Sequence, residues 1–108
     1  MRFITRKMME SYNKLVRDKI PEILDEKGIP YEKIIASDEE YKVELIKKLT
    51  EEVNEFSEAG NIEELADIIE VIEALKQLPE YKNVEEALEN KRQEKGGFEE
   101  RIILKGEK

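Results

Sequence analysis

The sequence predicts an all-α fold, an antiparallel helical bundle. Three observations carry this: helical apolar spacing over two long segments, cap or breaker residues at their ends, and a Gly60-Asn61 break short enough to be a tight turn. Residues 1–11 read as an N-terminal extension, because the opening stretch MRFITRKMME has neither helical nor strand period. Residues 12–108 read as one domain.

Within that domain the first helix is expected over 18–27, with Asp18 as cap, Pro21 tolerated in the first turn and Gly28 as the stop. Residues 29–36 should be extended, since Pro30 disfavours helix, and Ile34 and Ile35 suit a buried connector. Ser37 with Glu40 three positions on is a capping-box pattern, and helical spacing then runs to Ala59, with Gly60 as C-cap. Asn61, with Glu64 in the reciprocal position, opens the next helix, which should reach about Leu78 and stop before Pro79. A further start at Asn83 opens a helix ending near Gly96-Gly97. Phe98 to Leu104 is amphipathic but short, and reads as an extended, strand-like C-terminal tail that packs on the domain or on a partner.

Composition narrows the chemistry. The chain has no cysteine and no histidine, which excludes disulfides, thiolate zinc sites, imidazole ligands and His-based triads. Any acids, bases and ligands must then be carboxylates, lysines, tyrosines or waters. A net charge of −8 argues against nonspecific binding to a nucleic-acid polymer or to an anionic membrane surface. An acidic chain still takes a phosphorylated small molecule where a divalent cation neutralises the site. With no apolar run of transmembrane length and no signal-peptide core, a cytoplasmic location is expected.

The most informative residues are four carboxylates on apolar stripes. On a helical wheel Tyr41, Leu45, Leu49, Val53 and Phe56 form the stripe of the first long helix. Glu52 falls inside it and Glu55 at its edge near Lys48, whereas Glu51 and Glu58 point to the polar side. In the next helix Leu65, Ile68, Ile69, Ile72 and Leu75 form a broad arc. Glu64 lies within that arc and Asp67 at its edge, with Glu63, Glu70 and Glu73 on the solvated face. A hairpin would bring the two pairs together. Four ionised carboxylates at a helix seam repel and lose hydration, so either cations neutralise them or some protonate. Oxygen-only ligation suits Mg²⁺ or Mn²⁺, and inward carboxylates from facing helices are a known way to build a bundle metal site. The plainer alternative is that some of the 27 acidic residues fall on apolar stripes by chance.

Basic residues complement this set. Lys48 projects near Glu52 and Glu55; Lys91 and Lys95 share a face with Val84 and Leu88, with Arg92 nearby; Lys14, Arg17 and Lys19 surround a turn near the N-terminus. Lysine and arginine bind phosphoryl oxygens, and they serve equally as solubilising charge or, for Lys95, as dipole complement.

Glu51-Glu52-x-x-Glu55 followed by Glu64-x-x-Asp67 resembles the acidic motif of the all-α nucleotide pyrophosphohydrolases, the superfamily of MazG, the dimeric dUTPases and phosphoribosyl-ATP pyrophosphohydrolase. The resemblance is nearest to the small single-domain, phosphoribosyl-ATP pyrophosphohydrolase-like branch. Tyr12-Asn13-Lys14-Leu15-Val16-Arg17-Asp18-Lys19-Ile20-Pro21 looks like its opening signature, and Lys91-x-x-x-Lys95-Gly96-Gly97-Phe98-x-x-Arg101-Ile102 like its closing one. The stretch between Glu55 and Glu64 is shorter than MazG proteins usually carry, leaving less protein to cover a base.

The resemblance implies Mg²⁺-dependent hydrolysis of a nucleotide between its α- and β-phosphates, giving a monophosphate and pyrophosphate, by a dimer or higher oligomer. On this reading Glu52, Glu55, Glu64 and Asp67 hold the metal, with Glu52 the candidate to orient water. Lys48, Lys91 and Lys95 stabilise phosphate charge, as do Lys14 and Arg17. A homodimer also follows from the apolar arcs of Ser37–Leu78, too broad for two helices to cover. Two other classes compete with the enzyme reading: a noncatalytic helical interaction module, and a metal-buffering or sensing bundle.

Overall fold

The structure, a computed structural model, describes residues 13–107. The N-terminal extension expected over residues 1–11, and Tyr12 of the opening signature, lie outside the described residues. The described residues are helical, with no strand: α1 (Ile20–Glu26), α2 (Asp38–Ala59), α3 (Ile62–Lys76), a 3₁₀ turn (Pro79–Tyr81) and α4 (Val84–Lys95). The all-α class is therefore as expected. No helix among the described residues is long and apolar enough to cross a membrane. The chain divides into two compact units at Leu75 and Lys76.

The first unit is organised around α2. Ser37 Oγ accepts the Glu40 N–H at 3.2 Å, while Glu40 Oε1 accepts the Ser37 N–H at 3.0 Å. This capping box satisfies two helix-end donors, and Asp38, Glu39 and Glu40 add negative charge where the helix dipole favours it. The other end stops at Gly60, whose φ of 63° lies in the left-handed region that glycine enters without Cβ strain. Its N–H donates to Phe56 O at 2.7 Å. Asn61 then caps α3, its Oδ1 accepting the Glu64 N–H at 2.9 Å. A connection of only Gly60 and Asn61 joins α2 to α3.

Leu45 and Val71 are buried, one on each long helix, and so is Glu52 on α2. Leu49, Phe56, Ile68 and Leu75 are half-buried. The stripes are narrower than the wheels imply. Val53 is 46% exposed, and Leu65, Ile69 and Ile72 are exposed as well, so the outer flank of each arc lies uncovered in the single chain.

Other expectations are corrected. Ile34 and Ile35 are not buried; they lie exposed in an irregular connector. Asp18 does not cap α1. The N-cap position is Lys19, which makes no side-chain cap bond, and the entry turn is closed by the Ile20 N–H donating to Arg17 O at 3.1 Å. Pro21 does sit in the first turn, and Gly28 follows the helix with φ 70°.

The second unit begins at Lys76. α3 ends there, earlier than Leu78, because Pro79 starts a 3₁₀ turn and residues ahead of proline disfavour helix. Asn83 precedes α4 but makes no cap bond: its φ of −97° and ψ of 16° are not the extended backbone a capping side chain needs. An ion pair joins Lys76 to Glu85. After Gly96 the chain turns, with the Arg101 N–H donating to Phe98 O at 3.2 Å, and continues without regular structure. Among the described residues the tail forms no strand, and Phe98, Ile102, Ile103 and Leu104 are exposed.

Candidate metal centre

The centre starts from a burial that helical period dictates. Glu52 lies seven residues after Leu45, two helical turns along the same face, so the packing that buries Leu45 also buries Glu52. Only 6% of Glu52 is exposed. Its Oε1 is buried without a hydrogen-bond partner, and its Oε2 lies 3.6 Å from the Lys48 ammonium. Burial pushes the Glu52 carboxyl above its ordinary range. Lys48 opposes that shift, while Asp67, Glu51 and Glu64 reinforce it.

α3 supplies the other half. Asn61 fixes the start of the helix through the Glu64 N–H, and one turn separates Glu64 from Asp67. Carboxylate oxygens of Glu52, Glu64 and Asp67 lie within 4.8 Å of one another. This is a set of hard oxygen donors compact enough to bind one divalent cation. The unpartnered Glu52 Oε1 is what distinguishes it from an exposed acidic patch: a buried acceptor without a donor costs stability unless something supplies positive charge. Glu55, the fourth expected ligand, is half-buried one turn beyond Glu52 and stands outside the group.

The expected phosphate-binding residues divide. Lys48 is at the centre, 3.0 Å from Glu51 Oε1 as well as near Glu52. Lys14 and Arg17 are engaged with carboxylates: Lys14 Nζ donates to Glu51 Oε2 at 2.7 Å, and Arg17 Nη2 to Asp67 Oδ1 at 2.7 Å. Arg17 Nη1 also lies 3.8 Å from Glu70 Oε1. Lys91 and Lys95 are exposed on α4, in the second unit.

Glu51 and Glu70 are the residues the wheels passed over. Glu70 is exposed, but Glu51 is well covered, with Lys48 from its own helix and Lys14 from another segment both laid against it. The local signal for Glu51 was Lys48, three residues earlier on the helix. Nothing local marks Lys14 or Arg17 as partners.

Comparison with family models, with curated proteins and with solved structures returns no match.

Proposed function

We propose that this chain is a metal-dependent nucleotide pyrophosphohydrolase, cleaving a nucleoside triphosphate or related nucleotide between the α- and β-phosphates to a monophosphate and pyrophosphate. The observation that carries the reading is the Glu52 carboxylate, one oxygen of which is buried without a partner, converging with Glu64 and Asp67 so that ligand oxygens of the three lie within 4.8 Å of one another. The resemblance of the acidic motif and of the two flanking signatures supplies the reaction class.

Glu52, Glu64 and Asp67 would hold Mg²⁺ or Mn²⁺, with Glu55 completing the set from the next turn of α2. A bound divalent ion supplies Lewis acidity toward phosphoryl oxygens and lowers the pKa of a coordinated water. Glu52, the most deeply buried carboxylate of the cluster, would be the one to orient the attacking water. Lys48 sets a fixed positive charge beside the carboxylates, where it stabilises charge gathering on the departing pyrophosphate. Lys91 and Lys95 enter as phosphate ligands through the closing signature alone.

The reading includes an antiparallel α2–α3 hairpin within a helical bundle, and a homodimer. Val43, Ile46 and Val53 on α2, with Ile62, Leu65, Ile69 and Ile72 on α3, are exposed apolar side chains that a second copy would cover. Turnover of nucleoside triphosphates with Mg²⁺ or Mn²⁺ tests the function. Wild type should turn over, while Glu52→Gln and Asp67→Asn should lose activity and keep helicity. A chain that binds the ion without turnover would be a metal-binding bundle instead.

A further inference from the structure

The segment from Asn13 to Arg17 precedes α1, yet its two basic side chains end on different helices. Lys14 reaches α2 at Glu51, with both side chains largely covered. Arg17 reaches α3 at Asp67 and approaches Glu70 one turn on. The segment thus straps the two helices that carry the carboxylate cluster, with one ionic anchor on each.

Asp67 matters most here. Its Oδ1 accepts a charge-assisted bond from the Arg17 guanidinium at 2.7 Å, and it belongs to the group converging with Glu52 and Glu64. A guanidinium is a rigid, planar donor. Bonded to Asp67 and within 3.8 Å of Glu70, it favours the orientation in which Asp67 Oδ1 faces the guanidinium. Ligating carboxylates are commonly held this way, and removing the holding group typically weakens metal binding by roughly 10–100-fold.

We propose that Arg17 is a positioning residue for the metal centre, orienting Asp67, with Lys14 on Glu51 fixing the other end of the strap. The inference rests on the metal reading given above, and it reassigns Arg17 from substrate phosphate to a metal ligand's carboxylate. The sign of one measurement separates it from two rival roles. A guanidinium that merely adds positive charge beside a cation site repels the cation, so its removal would tighten metal binding. A guanidinium that binds substrate phosphate leaves metal affinity untouched and weakens pyrophosphate binding.

Calorimetric titration of the full chain with Mn²⁺ decides among them, with wild type, Arg17→Ala, Arg17→Lys and Asp67→Asn, each checked for helicity by circular dichroism. The expected result is Mn²⁺ binding about 10–100-fold weaker in Arg17→Ala. Arg17→Lys, which keeps the charge and loses the planar fork, should be intermediate. Unchanged or tighter Mn²⁺ binding in Arg17→Ala overturns the proposal. If that variant does not fold, Arg17→Lys decides alone, and wild-type affinity in it overturns the proposal. Should wild type bind Mn²⁺, Asp67→Asn abolish it and the Arg17 variants match wild type, only the strap falls. Should wild type bind no Mn²⁺, the metal reading falls and the strap with it.

Discussion

Replacing Glu52 by glutamine should reverse the order of stability between metal-free and metal-bound protein. In chelator at neutral pH the wild-type chain holds a buried carboxylate with one oxygen unpartnered, beside Asp67, Glu51 and Glu64, with Lys48 as partial compensation. A buried acceptor without a partner costs about 1–3 kcal/mol. Glutamine keeps the shape, removes the charge and brings an NH₂ that can donate to neighbouring carboxylates. Allowing for the lost attraction to Lys48, a gain of about 1–2 kcal/mol follows, or roughly 5–15 °C in Tm for a domain of this size. With the ion at 100 times its Kd, wild type gains about 2.7 kcal/mol, while Glu52→Gln, lacking a ligand charge, gains far less. Differential scanning calorimetry with EDTA and then with Mn²⁺ reads both arms. Glu52→Gln should melt above wild type in EDTA and below it in Mn²⁺. The chelator arm also has a pH signature. Burial raises the Glu52 carboxyl, so the folded chain binds the proton more tightly than the unfolded chain. The penalty is therefore absent below the unfolded value of about 4.3, grows as pH rises through the folded value and stays constant above it. The two chains should converge near pH 4 and separate upward. A variant that melts below wild type in EDTA at neutral pH would refute the reasoning, because Glu52 would then be a satisfied group.

Other consequences are open to direct measurement. Glu51→Gln should leave Mn²⁺ bound but lower turnover, because Glu51 holds Lys48 in place; unchanged steady-state kinetics would contradict this. Glu70→Gln should cost less Mn²⁺ affinity than Asp67→Asn, since Glu70 meets Arg17 only at 3.8 Å, and equal losses by calorimetry would mean Glu70 ligates. Sedimentation equilibrium at micromolar concentration should give a dimer or larger, and a 12.7 kDa species would contradict the reading of the exposed α2 and α3 side chains. Mixing inactive Asp67→Asn and Lys95→Ala chains should restore activity if the subunits share sites, and no recovery despite proven exchange would place each whole site in one chain.

What was legible in the sequence was what local chemistry decides. The Ser37–Glu40 box and the Gly60 stop are contacts among residues within one turn, and both form. Glu52 was legible because helical period ties it to Leu45. The strap was not, because Lys14–Glu51 and Arg17–Asp67 join residues 37 and 50 positions apart, beyond any periodic signal. A wheel assigns Glu51 to a polar side but cannot say what another segment lays against it. Ile34 and Ile35 failed for a related reason: apolar character makes burial favourable without supplying a layer to bury against. Asp18 and Asn83 are capping residue types, but a cap also needs backbone angles that residue identity does not determine.

The central claim is pyrophosphate release by a carboxylate-held metal. Phosphorus NMR of the products formed from nucleoside triphosphates by the full chain with Mg²⁺ or Mn²⁺, beside the same reactions in EDTA and with Asp67→Asn, tests it most directly. A nucleoside monophosphate and pyrophosphate in equal amounts are expected, with neither formed in EDTA or by the variant. Orthophosphate with a diphosphate as the products, or turnover that persists without metal, would contradict it.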